Sequence, residues 1–263
     1  MGKNKDNDQM RALEACIEEG LIDEVHWILK SGKEATVYLC ERAHGGAAQL
    51  VAAKVYRSTE VRRFANDAVY RDGRLRGREH KQEARALKRK NRIGREMAFR
   101  SWVNEEYATL TLLHQAGADV PAPIAQRDAI TFMEYVGDED APAPLLAHCQ
   151  LEPGEAERML ARLLWNVELM LACDRVHGDL SAFNVLYDGG RLTVIDFPQA
   201  VDARFNHAAL DLLERDIDRL CSFFSRWGVA ADAHRISRDL WGRFLRSDLA
   251  IGPAPSLEVA AMR

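Results

Sequence analysis

The sequence lacks the features that mark secreted, zinc-binding and membrane-spanning proteins. It has five cysteines in 263 residues, and no two of them form a Cys-x-x-Cys pair. Scattered cysteines of odd number argue against a disulfide framework and a zinc site, and they favour reduced thiols in a cytoplasm. No apolar run approaches the ~18 residues of a membrane span, and the polar N-terminus has no signal-peptide core. We therefore expect a cytoplasmic globular protein with no membrane partner.

The chain also lacks a strong overall charge, but its basic residues are unevenly distributed. The net charge is −4, yet residues 57–100 contain 15 Lys or Arg against 6 Asp or Glu. A basic segment with few aromatic residues is typical of a surface that binds RNA or an acidic partner. A solvated insertion without nucleic acid has the same composition, so both interpretations stay open.

The most informative stretch is HGDLSAFNVLYDGGRLTVID, residues 177–196. Asp179 and Asn184 stand five apart on a predicted loop, and two short strands joined by a glycine turn lead to Asp196. Phosphoryl transfer requires a carboxylate beside the nucleophile, and Mg²⁺ requires hard oxygen ligands. The spacing is that of the protein-kinase catalytic loop. It predicts Asp179 as the catalytic carboxylate and Asn184 and Asp196 as metal ligands.

The first half of the chain predicts strands and a phosphate-binding turn. SGKEATVY, residues 31–38, places a glycine turn between two strands, where backbone N–H groups can approach phosphate oxygens. A bare hairpin turn would look the same. The third strand, LVAAKVY at 50–56, carries Lys54 in an apolar run. Alone, Lys54 would fit an edge-strand lysine pointing to solvent, but the preceding glycine turn favours a phosphate contact.

A helix and a strand complete the predicted nucleotide site. Apolar side chains recur at helical spacing in residues 102–115, and Glu106 lies on that inward stripe. Glu106 is thus the predicted partner of Lys54, with Glu105 as the alternative. A strand at 130–136 precedes an acidic, proline-rich hinge, where backbone groups of Glu134 and Val136 could pair with an adenine edge.

The order of these elements predicts an α+β fold of two lobes joined by a hinge. An antiparallel sheet with one main helix forms the N-terminal lobe, and the C-terminal lobe is mostly helical. Residues 1–8 are expected to be disordered, and a short helix is expected at 9–19. The predicted divisions are a tail and short helix at 1–24, an N-lobe at 25–136 with the basic insertion at 57–100, a C-lobe at 137–250, and a tail at 251–263.

Four motifs together resemble the RIO family of atypical protein kinases. They are SGKEATVY, VAAKVY, HGDLSAFN and IDFPQAV, and the resemblance runs from about residue 25 to 224. HGD…N with a later ID is shared with small-molecule phosphotransferases. Ser181, the DFPQ run and the early SGKEAxVY make the RIO resemblance more specific. The N-terminal helix is too short for the winged-helix domain of one RIO subfamily, so the chain resembles the other.

The resemblance implies a bilobal, protein-kinase-like fold that binds ATP with Mg²⁺, or with Mn²⁺ in its place, in its cleft. It also implies phosphorylation of serine, in a protein substrate or in the chain itself, or ATPase turnover through an aspartyl-phosphate. Relatives act in maturation of the small ribosomal subunit, which makes RNA or a ribosomal particle a candidate partner of 57–100. The implied catalytic residues are Lys54, Asp179 and Asp196, the metal ligands Asn184 and Asp196, and the nucleotide contacts Ser31, Gly32, Lys33, Val37, Lys54, Glu106, Met133, Glu134, Val136 and Ser181.

Two other functions fit parts of the sequence. A small-molecule phosphotransferase acting on aminoglycosides or choline would share the catalytic loop. Such enzymes build an acceptor pocket from helices after that loop, and residues 197–263 leave little room for one. An RNA-binding scaffold that keeps ATP as a switch would explain the basic segment. RNA affinity that falls steeply with salt would support this interpretation.

Overall fold

Alternating side chains in the first lobe build a five-stranded antiparallel sheet. The computed structural model of the chain describes residues 3–57 and 92–257. The strands run in the order β1-β2-β3-β5-β4. Their bounds are β1 Glu24–Ser31, β2 Ala35–His44, β3 Ala47–Tyr56, β4 Pro123–Arg127 and β5 Ile130–Glu134.

The central strand β3 separates a core from a cleft. Successive side chains of a strand point to opposite faces of the sheet. Val51, Ala53 and Val55 therefore enter one apolar cluster, while Ala52 and Lys54 face a cavity between the lobes. Because this part of β3 is covered on both faces, the last six residues of the strand, 51–56, are all buried. Lys54 is consequently held in a fixed place in the lining of the cleft.

The N-terminal helix α1, Lys3–Glu18, packs beneath this sheet. The prediction of disorder for residues 1–8 is wrong from residue 3 onward. Gln9 is buried, and its side-chain amide donates a hydrogen bond to the Val55 carbonyl at 3.2 Å. Leu13 and Cys16 are fully buried in the same cluster as β3. These long-range contacts anchor the helix, so its polar first turns are helical despite their composition.

The main helix of the first lobe, α2, spans Arg92–Gln115 and begins ten residues before the predicted start. Its first turns carry exposed side chains such as Glu96 and Met97, so no apolar period marks them in the sequence. Residues 92–100 therefore belong to this helix rather than to the predicted insertion. The rest of the basic insertion, residues 58–91 with its predicted helical pieces, lies outside the described residues.

The second lobe is mostly helical, with one short hairpin facing the cleft. Its largest helix has a capping box between Glu152 and Glu155, which satisfies backbone N–H groups at its start. The apolar faces of its helices form one large core. The elements are α3 Pro153–Ala172, β6 Arg175–Val176, β7 Val185–Asp188, β8 Arg191–Val194, β9 Val201–Asp202, α4 Ala209–Phe224 and α5 Ala233–Leu245.

A polar clamp joins the lobes behind the cleft. Asp119, in the loop between α2 and β4, accepts two hydrogen bonds from Arg162 of α3 at 2.6 and 2.8 Å. Asn166 of the same helix donates to Asp119 at 2.7 Å. The Val194 N–H at the end of β8 donates to the Asp119 carbonyl at 2.7 Å. Such paired, partly buried contacts fix the cleft's rear wall.

Within 3–57 and 92–257, no helix is long and apolar enough to cross a bilayer.

Candidate active site

The cleft between the lobes holds a cavity of about 610 Å³, a size typical of cofactor sites. Aliphatic side chains line it on both sides, with Val37 and Ala52 on the sheet and Leu186 on the β7–β8 hairpin. Ser31, Ser181 and Asn184 are predicted site residues that do not line the cavity. The predicted residues that do line it are Gly32, Lys33, Val37, Lys54, Glu106, Met133, Glu134, Val136, Asp179 and Asp196.

Lys54 joins both lobes at the centre of this cavity. Its Nζ lies 2.6 Å from Glu106 Oε1 of α2 and 2.5 Å from Asp196 Oδ1 of the second lobe. Of the two glutamates left open by the sequence, Glu106 therefore contacts Lys54. Glu105 instead lies 3.5 Å from Arg175 on the outer side of the helix. One ammonium thus bridges two carboxylates that are distant in the chain.

The charges of this cluster support one another. Burial alone would lower the pKa of Lys54, but Asp196 and Glu106 together raise that pKa above its ordinary value. Burial would raise the pKa of Asp196, and the attraction of Lys54 outweighs it, so the pKa of Asp196 is lowered. Burial raises the pKa of Glu106. At neutral pH the arrangement is an ammonium facing an ionised Asp196, which suits a phosphate-bearing ligand.

The catalytic loop and the Asp196 segment are held side by side. The Asn184 side-chain amide donates to the Asp179 carbonyl at 2.9 Å, and the Ile195 N–H donates to the Asn184 carbonyl at 2.9 Å. Because its Nδ2 donates to Asp179, Asn184 keeps its Oδ1 as an acceptor, and its backbone contact with Ile195 ties it to the segment that ends at Asp196. An amide oxygen and a carboxylate, completed by phosphate oxygens, form a donor set that fits Mg²⁺. Asp196 has φ of 74°, a left-handed conformation that is common at functional sites.

His177 links the same two segments as a neutral imidazole. Its Nε2 lies 3.2 Å from the Ile195 carbonyl, and its Nδ1 accepts from the Asp179 N–H at 3.3 Å. Nε2 is then the protonated nitrogen. Burial lowers the pKa of His177, which agrees with this tautomer. The ring packs on Phe197 with centroids 4.8 Å apart. His177 therefore positions the loop rather than transferring a proton.

Asp216 of α4 holds the catalytic loop from beneath and was missed by the sequence reasoning. Its carboxylate accepts from the Gly178 N–H at 2.8 Å and from the Leu180 N–H at 3.0 Å. The signal was present, since Asp216 lies on the inward stripe of α4 between Leu213 and Ile217. A carboxylate on an otherwise apolar stripe must have a buried partner. Burial raises the pKa of Asp216 to about 7.

We expect Asp216→Asn to destabilise the protein by about 1–3 kcal/mol, because an amide oxygen can replace one carboxylate acceptor while its NH₂ group faces the other N–H. The catalytic loop would also be misplaced, so ATP turnover should fall. Chemical denaturation and steady-state kinetics measure the two effects. Asp218→Asn, on the exposed face of the same helix, is the matched control. Equal stability of the two variants would contradict the assigned role of Asp216.

The turn between β1 and β2 forms the front edge of the cavity. Its Gly32 N–H donates to the Ala35 carbonyl at 2.9 Å. The Ser31 hydroxyl accepts from Arg57 Nη2 at 2.8 Å, which turns it away from the cavity. Lys33 is exposed and lines the opening. Burial, followed by repulsion from Asp196, raises the pKa of Glu34 to about 7.

We expect Glu34→Gln to stabilise the nucleotide-free protein in a pH-dependent way. The folded-state pKa of about 7 exceeds the ordinary value of 4.5. Stability contributed by the protonated carboxyl is therefore complete below pH 4.5 and is lost as the pH rises through 7. The advantage of the variant should grow over that range to on the order of 1 kcal/mol, since solvent screens this part-exposed group.

Urea unfolding at several pH values, without nucleotide or Mg²⁺, measures that difference. Glu24→Gln, at the exposed start of β1, serves as the control and should follow the wild-type pH dependence. A constant difference between Glu34→Gln and the wild type would show that Glu34 does not titrate in this window.

A family model described as "RIO domain" matches residues 36–236. "Serine/threonine-protein kinase RIO1" of Homo sapiens is 32% identical over 215 residues, which cover 81% of this chain and 35% of that protein. "RIO-type serine/threonine-protein kinase Rio1" of Haloferax volcanii is 32% identical over 231 residues, covering 86% of this chain and 72% of that protein. The chain thus spans about a third of the human relative's length.

Solved structures show the same fold. The Rio2 kinase–ADP/Mg²⁺–phosphoaspartate complex from Chaetomium thermophilum matches with a TM-score of 0.63 at 21% identity. The match covers 94% of this chain and 67% of that one. A second Rio2 kinase structure from that organism gives 0.61 at 20% identity. The prediction of a bilobal, protein-kinase-like α+β fold is confirmed.

Proposed function

The chain belongs to the RIO domain family, and from that premise we propose that it is an ATP-dependent serine/threonine protein kinase or ATPase. The observation that carries the proposal is the bridge from Lys54 to Glu106 and Asp196 at the centre of the cleft. The cation of one lobe meets an ionised carboxylate of the other beside the Asp179 loop. This is the charge arrangement that positions a triphosphate for transfer of its terminal phosphoryl group.

We place the adenine at the rear of the cavity and the phosphates at the front. Val37, Ala52 and Leu186 supply apolar surfaces above and below a flat base. Backbone groups of Glu134 and Val136 would pair with its polar edge. The Glu134 side chain is already engaged, with Arg191 at 2.8 Å, and its N–H donates to the Ala122 carbonyl at 2.8 Å, so we assign the Glu134 carbonyl to the base.

The phosphates would lie between the glycine turn and Lys54. Gly32 and Lys33 line this end of the cavity. Asn184 and Asp196 would hold Mg²⁺, which supplies neutralisation of phosphate charge when bound. Asp179 would orient the acceptor hydroxyl or water and accept its proton as the γ-phosphorus bond to the ADP oxygen breaks. The Lys54–Glu106 pair fixes the ammonium so that little reorganisation accompanies transfer.

Mass spectrometry after incubation with Mg·ATP tests this proposal and identifies the acceptor. A serine phosphate on the chain or on an added protein indicates kinase action. An acyl phosphate at Asp196, trapped by borohydride reduction, with free phosphate in solution, indicates ATPase turnover. Phosphorylated aminoglycoside or choline with no phosphoprotein would favour a small-molecule phosphotransferase. No ADP formation under any of these conditions would contradict the proposal.

The proposed macromolecular partner is RNA or a ribosomal particle, through the basic segment 57–100. Its charge supports this proposal, with 15 basic against 6 acidic residues. Most of the segment lies outside the described residues, so no structural contact supports it. A steep fall of RNA affinity with salt is the expected behaviour. A cytoplasmic location, Mn²⁺ in place of Mg²⁺, and membership of the RIO subfamily without a winged helix stay predictions.

A further inference from the structure

The catalytic loop itself supplies no positive charge. Residues 177–184, HGDLSAFN, contain neither lysine nor arginine. In phosphoryl transfer, negative charge is shared by the transferred group and the two oxygens in line with it, and cations near it lower the barrier. Lys54 stands on the β3 side of the cleft, where it contacts Asp196. The side of Asp179 that faces the acceptor therefore needs its cation from another element.

Arg219 of α4 occupies that position. Its Nη1 lies 2.7 Å from Asp179 Oδ1. Both side chains are about 40% exposed, and Asp179 lines the cavity between the lobes. Among the residues that the structure describes, this is the one hydrogen bond found for the Arg219 guanidinium. A guanidinium has five N–H donors in a planar fork. It can hold the carboxylate with one donor and contact a phosphoryl oxygen with another.

Local structure makes the placement rigid. Arg219 follows Asp216 by three residues, so both side chains project from the same side of α4. Asp216 holds the backbone at Gly178 and Leu180, and Arg219 holds the carboxylate at Asp179 between them. One helix turn thus fixes the loop and presents a cation at its reacting end.

We propose that Arg219 is a catalytic residue that neutralises the transferred phosphoryl group while it orients Asp179. The inference rests on the proposed function. In the step, the bond from the γ-phosphorus to the β–γ bridging oxygen breaks and ADP leaves with the electron pair. A bond forms to the acceptor oxygen, whose proton passes to Asp179. Arg219 keeps its proton and contacts the moving phosphoryl oxygens throughout.

Kinetics of Arg219→Ala and Arg219→Lys form the first test. We expect about a 10²-fold fall in kcat for alanine and a smaller fall for lysine, with the KM for ATP changed less than about threefold. Added guanidinium should restore part of the alanine variant's rate. Arg238→Ala is the matched control, because Arg238 of α5 forms a 2.7 Å ion pair with Glu214 of α4 and, in the part of the chain that the structure describes, has no contact with the catalytic loop. Its kcat should equal that of the wild type.

Binding of a transition-state analogue forms the second test. Aluminium fluoride with Mg·ADP imitates the transferred phosphoryl group, so the wild type should bind ADP more tightly in its presence, and Arg219→Ala should lose that gain. Calorimetry with and without the fluoride measures both. An equal gain in both proteins, or faster turnover by the alanine variant than by the wild type, would overturn the proposal. Absence of wild-type turnover would overturn the proposed function instead, while the binding comparison would still decide the role of Arg219.

Discussion

Replacing Asp179 with asparagine is expected to lower ATP turnover by about 10³-fold with little change in nucleotide affinity. Asparagine has the same shape, but it removes the charge that would orient the acceptor and accept its proton. It also weakens the contact with Arg219, which now spans 2.7 Å. Nucleotide binding should persist, because Lys54 and the aliphatic walls of the cavity are unchanged. Steady-state kinetics and calorimetric titration with Mg·ATP separate the two quantities.

The matched control for this prediction is Asp188→Asn. Asp188 lies at the exposed tip of the β7–β8 hairpin, away from the cavity lining. The Asp188→Asn substitution removes the same charge from the same lobe, so the turnover of this variant should remain within about twofold of the wild type. If Asp179→Asn behaved like this control, the carboxylate would have no part in transfer and the catalytic loop would be wrongly assigned.

Replacing Lys54 with methionine is expected to weaken ATP binding by about tenfold and to lower turnover by about 10²-fold or more. Lys54 is only 9% exposed, and methionine fills a similar volume without the charge. The change leaves Glu106 buried without its cation, so the free energy of unfolding should also fall by about 2 kcal/mol at pH 8. The loss should shrink at lower pH, where Glu106 takes up a proton.

A double variant separates catalysis from stability at this site. In Lys54→Met with Glu106→Gln, the buried carboxylate of Glu106 is gone and only the part-exposed carboxylate of Asp196 lacks its cation. Part of the lost stability should therefore return. Turnover should stay low, because the ammonium that contacts Asp196 at 2.5 Å is still missing. Recovery of turnover together with stability would show that Lys54 acts only through folding.

The residues of the site could be predicted where they lie close together in the sequence. Asp179, Asn184 and Asp196 lie within one stretch, and a short hairpin brings its ends together. Lys54 could be predicted because it lies in an apolar strand that follows a glycine turn. The sequence does not decide whether Glu105 or Glu106 is the partner of Lys54, because adjacent helical positions differ by only about 100° in direction. The distance from Lys54 to Glu106 resolves this choice.

The remaining features depend on contacts between distant parts of the chain. Asp216 and Arg219 lie more than thirty residues after the loop they hold, and no local spacing links them to it. The early start of α1 depends on Gln9 reaching β3, which a local reading of polar residues cannot reveal. The Ser31 hydroxyl was assigned to phosphate, but Arg57 occupies it in this structure. Tertiary context decided each of these cases.

The central claim is that one cleft binds ATP and its metal between Lys54 and the pair Asn184 and Asp196. A crystal structure with a non-hydrolysable ATP analogue and Mn²⁺, with data collected at the manganese absorption edge, tests it most directly. We expect an anomalous peak adjoining Asn184 and Asp196, with the base against the backbone of Glu134 and Val136. A nucleotide bound elsewhere, or a manganese peak remote from these two side chains, would contradict it.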